Sequence, residues 1–281
     1  MPEGDTIHRT AARLRDALGG RVLTRVEFAR LAPPLPTVGA TVERVEARGK
    51  HLLIHLSDGF IVHTHQRMTG TWHLYRPGSP WRRSARSARC VLGVSDVTAV
   101  CFAAPVVEVL DAGALARHPA LRRLGPDLAD PAADLDDAVR RARRLVETRA
   151  GMGEALSVGE LLLDQSVACG VGNVYRCEVL FLQRLDPATP AREVSGSVVR
   201  ALLATAGELL RANLSGNART TVAGRPQGTL WVYGRAGSAC RRCGHAIIRE
   251  RLGEPSRVVD RCPTCQPAGG GRPIADTGTT A

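Results

Sequence analysis

The sequence predicts an α+β chain of more than one domain: first a β-sandwich with a flanking helix, then a helical region, then a cysteine-bearing β-hairpin. Three observations carry this. Over residues 21–110 short apolar runs alternate with polar residues and are cut by turn signals, the pattern of a two-sheet β structure. From about residue 134 to 214 the apolar residues recur at helical spacing. Beyond 229 two Cys-x-x-Cys pairs flank a strand-forming stretch. At 281 residues the length alone favours two or more domains. The expected boundaries are 2–112 for the sandwich domain, 113–133 for a linker, 134–228 for the helical domain, 229–266 for the cysteine hairpin and 267–281 for a disordered tail.

The elements follow in order. Asp5 or Thr6 is placed to cap a helix that runs to about Leu18, where Gly19-Gly20 stops it. Strands are expected over 22–28, 41–48, 51–56, 61–65, 71–75, 90–94, 99–102 and 106–110. Lys50 follows Gly49 at the break between two of them. His63 and His65 share one strand face and read as hydrogen-bonded rather than metal-binding. Residues 66–70 form a polar loop ending in glycine, with Arg67 and the apolar Met68 at its tip. Such a flexible apolar side chain suits a wedge in a base stack. The stretch 81–89 reads as a basic loop, and Pro126, Pro131 and nearby aspartates mark the linker.

Helical spacing resumes over 134–147, with Arg140, Arg141, Arg143 and Arg144 as a basic cluster. Ser157 and Glu160 have capping-box spacing and open a helix through Leu163. Gly170-Val171-Gly172 ends that segment, and Asn173 is expected to cap a helix to Leu182. Two helices joined by a short glycine turn resemble a DNA-binding hairpin, whose turn amides and Asn173 amide suit a backbone phosphate. A third helix is expected over 198–214. The hairpin over 247–259 would display Arg249, Arg251 and Arg257, and the Gly-, Pro- and Thr-rich segment from 267 should be disordered.

Charge and cysteine usage narrow the chemistry. A net charge of +11 attracts polyanions, nucleic acid above all. No apolar run spans a bilayer and the first helix is too charged for an export signal, so no membrane association and a cytoplasmic location are expected. Cys90, Cys101, Cys169 and Cys177 lie scattered in apolar stretches as small buried hydrophobes, which suits a reducing compartment. Cys240, Cys243, Cys262 and Cys265 form two knuckles that can surround one tetrahedral zinc ion, structural rather than catalytic because four thiolates complete its shell. Lys50 is the only lysine beside 37 arginines, which suggests a place where a compact ammonium is required. Finally, Pro2 permits trimming of Met1 and would expose a secondary α-amine. An α-amine titrates near ~8, so part of it is nucleophilic at neutral pH and can attack a sugar aldehyde carbon to give an iminium. Glu3 beside it can move protons.

Together these residues carry a resemblance. Met1-Pro2-Glu3-Gly4-Asp5, Arg48-Gly49-Lys50, Leu163-Asp164-Gln165 with Gly170-Val171-Gly172-Asn173-Val174-Tyr175, and Tyr233-Gly234-Arg235 ahead of the second cysteine pair resemble the formamidopyrimidine-DNA glycosylase/endonuclease VIII family over nearly the whole chain. The resemblance implies a β-sandwich, a helix-two-turn-helix region and a β-hairpin zinc finger. It implies a bifunctional DNA glycosylase and abasic-site lyase for base excision repair, acting as a bacterial, cytoplasmic monomer on damaged DNA. Pro2 would be the nucleophile, Glu3 the proton donor, and Lys50 would contact the phosphate beside the lesion and assist the chemistry, while Asn173 and Arg257 would hold phosphates and Arg67 and Met68 would fill the void left by the flipped nucleotide. Gly4-Asp5-Thr6 and the short 221–231 connection resemble the endonuclease VIII branch, with oxidised pyrimidines as substrate. Met68-Thr69 resembles the purine-preferring branch, so oxidised purines stay open as an alternative. A non-catalytic zinc-finger protein that binds DNA damage is the other.

Overall fold

The computed structural model describes residues 2–216, 218–253 and 256–269. The chain divides into two compact units between Arg123 and Leu124. The first opens with helix α1 (Gly4–Leu18), whose Ile7, Ala11, Leu14 and Leu18 line one apolar stripe at helical spacing. Eight strands follow: β1 (Arg25–Phe28), β2 (Val42–Arg48), β3 (His51–Leu56), β4 (Ile61–His65), β5 (Thr71–Tyr75), β6 (Ala88–Gly93), β7 (Thr98–Phe102) and β8 (Val106–Leu110). They make two antiparallel four-stranded sheets, ordered β1-β6-β7-β5 and β2-β3-β4-β8. The α1 stripe packs with Val45, Leu52, Ile54 and Val62 of one sheet and with Leu92, Ala99 and Cys101 of the other in a single core, the expected sandwich with its flanking helix. The period-2 pattern leaves the opposite face of β3, β4 and β8 to His51, His63, His65 and Glu108. A short helix α2 (Ala112–Arg117), capped by Asp111, falls in the stretch expected as linker.

The second unit holds α3 (Leu135–Gly151), α4 (Val158–Leu161), α5 (Asn173–Leu182), α6 (Gly196–Ala212) and the hairpin β9 (Ile248–Leu252)–β10 (Arg257–Arg261). Ser157 and Glu160 close the predicted capping box at α4, yet that helix lasts only four residues rather than running to Leu163. Asp164 then accepts from the Ser166 amide at 2.8 Å, a local turn that competes with the helix. Leu161, Val171, Tyr175, Val179, Leu202 and Ala206 share the main core of this unit. α5 is buried along nearly its whole length, since Phe181 and Cys177 on its other side pack against Val232, Ile247 and Val259 of the C-terminal hairpin. Cys90, Cys101, Cys169 and Cys177 are all buried free thiols. The segment expected to be disordered lies outside the described residues from 270 onward.

Candidate functional site

In the first unit the expected nucleophile lies at the mouth of α1. The helix begins earlier than its sequence suggested: Glu3, not Asp5 or Thr6, occupies the N-cap position, and its carbonyl accepts from the Thr6 and Ile7 amides at 3.0 and 3.1 Å. Glu3 is fully buried and Pro2 half-buried. Asp5 lies inside the first turn, also fully buried, paired with Arg9 at 3.2 Å.

Lys50 occupies the second position of the two-residue turn between β2 and β3. Gly49 has φ +58° while Lys50 keeps a negative φ, the pattern of a type II′ hairpin turn, which requires glycine first. The Lys50 charge is felt on the histidine face: burial first, then neighbouring rings and Lys50, push His51 down to about 3, and burial, His63, Lys50 and Arg67 push His65 down to about 4. His63 is lowered by burial against the opposing pull of Glu108. Those rings are linked, His51 Nδ1 to His63 Nε2 at 2.9 Å and His63 Nδ1 to Glu108 Oε2 at 2.8 Å.

The loop after β4 is tightly held at its base and open at its tip. The Gly70 amide donates to Gln66 O at 2.8 Å, and Thr69 Oγ1 donates to Ala103 O at 2.8 Å. A Cβ on Gly70 would come within 2.7 Å of the Gln66 backbone and 2.9 Å of Ala104 Cα, so only glycine fits. Arg67 is held at φ +45°, and Met68 is 66% exposed.

In the second unit Asn173 is not the cap of α5 but its first residue, with Gly172 in the N-cap position. Its side chain is turned to β10: Asn173 Nδ2 donates to Val258 O at 2.8 Å. Arg176, one turn on, donates from Nη2 to the Asn173 side-chain oxygen and to Val258 O at 2.7 Å. Asn173 and the strand that bears the exposed Arg257 are thus joined through one carbonyl. Arg176 is fully buried, its Nε and Nη1 have no hydrogen-bond partner among the described residues, and burial lowers its pKa. With Arg257 and Arg149 it lines a cavity of about 680 Å³ that also takes Glu160 and Asp164. Arg249 is exposed, as expected, and lies across the hairpin on buried Asp260 at 2.7 and 3.0 Å.

The four hairpin cysteines converge, all four sulfurs within 4.8 Å of one another. Cys240 Sγ lies 3.9 Å from Cys265 Sγ, and Cys243 Sγ 3.4 Å from Cys262 Sγ. Four sulfurs each ~2.3 Å from a tetrahedral centre would be about 3.8 Å apart, so the cluster fits a metal ion. Burial raises the Cys262 and Cys265 thiols, whereas the His245 amide lowers Cys243 to about 6; a divalent cation would offset the cost of the buried thiolates. The cluster is tied to the helices by Gln266, fully buried, which accepts from the Cys262 amide at 3.1 Å and donates to Leu185 O at 2.9 Å.

Sequence reasoning passed over three groups. Arg176 carried a signal, its i+3 spacing from Asn173. Glu178 carried none: its buried carboxylate accepts the amides of Trp231, Val232 and Tyr233 at 2.7–2.9 Å, more than fifty residues away. His51, Glu108 and His118 join the histidine face only once the strand register is known.

An antiparallel sandwich behind a helix that starts directly after Pro2-Glu3, and a helical unit carrying a four-cysteine hairpin, define a class of DNA-repair fold. The first 105 residues match the formamidopyrimidine-DNA glycosylase N-terminal domain, and residues 124–223 match the H2TH domain of the same glycosylases. The chain belongs to the formamidopyrimidine-DNA glycosylase/endonuclease VIII family. It is 42% identical to a probable endonuclease 8 2 of Streptomyces coelicolor over 99% of this chain and 98% of that protein. It is 38% identical to the DNA-(apurinic or apyrimidinic site) lyase Nei2 of Mycolicibacterium smegmatis over 95% of this chain and 100% of that one. The fold is also that of the Lactococcus lactis formamidopyrimidine-DNA glycosylase bound non-covalently to DNA containing an abasic site, with a TM-score of 0.76, 21% identity, and 95% and 100% of the two chains covered.

Proposed function

We propose that this chain is a DNA glycosylase and abasic-site lyase of base excision repair, with oxidised pyrimidines its preferred bases and Pro2, freed by loss of Met1, its nucleophile. The full-length 42% identity to an endonuclease 8 carries the enzyme class. The half-buried Pro2 next to a fully buried Glu3 at a helix N-terminus supports the chemistry. A base within a duplex is out of reach, so the nucleotide must first be turned out of the stack, at a cost of a few kcal/mol. The Pro2 nitrogen then bonds to the sugar C1′, the base departs with the electrons of the glycosidic bond and takes up the proton that the Pro2 nitrogen loses, and Glu3 protonates O4′ as the C1′–O4′ bond breaks to leave the iminium. The resulting iminium acidifies the C2′ hydrogen. Loss of that proton expels the 3′ phosphate, and a second elimination expels the 5′ phosphate.

The remaining groups bind. Lys50 meets a phosphate beside the lesion as a compact cation. In the second unit Asn173 Nδ2 has two hydrogens, one committed to Val258 O, and the other serves a phosphate along with Arg257. Met68, with Arg67, enters the gap left in the stack. The metal is one zinc ion on Cys240, Cys243, Cys262 and Cys265; it supplies folding energy to a hairpin with little core of its own and takes no part in the reaction. The chain acts as a monomer.

Borohydride reduction of the protein mixed with abasic-site duplex tests this reading. A covalent adduct mapped to Pro2 is expected. No adduct from protein shown by mass spectrometry to begin at Pro2 would leave a DNA-binding module instead. A panel of duplexes with single oxidised bases then separates pyrimidine from purine preference.

A further inference from the structure

The outer face of the β2-β3-β4-β8 sheet holds a hydrogen-bonded row that the proposed reaction does not use. Its proton positions can be read from the ends inward. The Leu121 amide donates to His118 Nδ1 at 3.2 Å, so the ring proton of His118 is on Nε2 and points to Glu108 Oε2 at 3.1 Å. His63 Nδ1 reaches the same oxygen at 2.8 Å and must donate to it. His63 Nε2 is then an acceptor, and His51 Nδ1, 2.9 Å away, donates. His51 stacks on His63 with centroids 5.1 Å apart and meets His65 edge-on at 4.7 Å. At the far end His65 Nδ1 accepts the Arg67 amide at 3.2 Å, which fixes Arg67 at its positive φ. A cation on His63, Glu108 and His118 would need lone pairs where two of these nitrogens carry protons, so the row fits a relay of neutral rings rather than a metal centre.

We propose that His65, His51, His63, Glu108 and His118 form a positioning network that sets both the Lys50 turn and the Met68 loop for a lesion in DNA. The inference rests on the proposed function, because it takes Lys50 and Met68 as DNA-contacting groups. His51 directly follows Lys50, and His65 holds the amide next to Met68, so the two ends of the row are the two loops. The network works only while His63 Nε2 carries no proton and can accept from His51. The charged groups facing His51 are Lys50 at its own turn, Arg48 across from it on β2, Glu46 further along that strand, Glu108 on β8 and Arg67 of the loop; His63, His65 and His118 complete the surroundings. Glu108 accepts from both His63 and His118, and these two imidazole donors outweigh its burial and lower its pKa.

The test reads lesion selectivity, the ratio of dissociation constants for undamaged duplex and for duplex with a tetrahydrofuran abasic analogue, which cannot form an iminium. Glu108→Gln and His63→Phe should each lower that ratio about tenfold, the scale of one charge-assisted hydrogen bond. His118→Gln, which keeps an N–H for Glu108, should retain more of it than His118→Leu. His55→Gln, on the same face but outside the row, should leave it unchanged. Nitrogen-15 spectra of the wild type should show His63 protonated on Nδ1, with Nε2 taking up a proton only below the ordinary imidazole range. Should a variant fail to fold, those wild-type spectra decide: a His63 ring that titrates near ~6.5, the value of an unperturbed imidazole, overturns the network. Selectivity indifferent to Glu108→Gln and His63→Phe, in a protein that still forms the Pro2 adduct, overturns it alone. A wild type with neither adduct nor selectivity overturns the function reading first.

Discussion

Single residues divide by what their loss should change. Glu3→Gln keeps the buried volume but removes the titratable proton, and base excision should fall by about 10²–10⁴-fold in single-turnover assays while the abasic analogue still binds. Lys50→Ala should reduce the slope of log affinity against log salt by about one, and Lys50→Arg should not restore the rate, since a planar fork is a poor substitute for a point charge. Gly70→Ala is a purely steric change. Both surfaces it meets are backbone, so it should destabilise the first unit by about 1–3 kcal/mol in urea unfolding. Legibility at this scale followed chemistry. Pro2, Lys50 and the four cysteines stood out because each is a residue type that few tasks demand. Glu178 and Arg176 did not, because a carboxylate or guanidinium earns its place by partners that only the folded chain supplies.

Elements were legible where the apolar period was unbroken. β3, β4, β5 and β8 begin and end where alternation predicts, while α6, expected over 198–214, spans Gly196–Ala212 with Ser195 as its cap. Errors gathered at ends, where hydrogen bonding rather than burial decides: α1 starts at Gly4 because the Glu3 carbonyl already accepts two amides, and Asn173 turns to β10 rather than back onto its own helix. The histidine face makes a prediction for the first unit as a whole element. His51 at about 3 and His65 at about 4 lie below the unfolded value of ~6.5, so the unfolded chain binds more protons between those limits. Stability is therefore intact above ~6.5 and should be lost as pH falls toward about 4, by up to ~1.4 kcal/mol per pH unit per histidine, visible as falling urea midpoints. In the second unit, Glu178→Leu would strand three backbone amides and should cost on the order of 3 kcal/mol.

For the molecule as a whole, the hairpin is a joint rather than an appendage. Gln266 ties its cysteine cluster to Leu185, Asp260 ties Arg249 to the Gly234 amide, and Val258 receives both Asn173 and Arg176. Stripping the metal with a thiol-reactive mercurial should release one zinc ion per chain and weaken DNA binding, even though Asn173 itself is untouched; absorbance of a released-zinc indicator and a binding titration check both. Net charge +11 forecast the polyanion but not where it lies, because charge composition has no direction. That same composition leaves a practical opening. With one lysine in 281 residues, reductive methylation of the trimmed chain has only two amine targets, the ring nitrogen of Pro2 and Nζ of Lys50. Isotope-labelled formaldehyde would thus place one resonance at each end of the proposed chemistry, and a lesion-bearing duplex should shield both from the reagent while bulk surface chemistry stays silent.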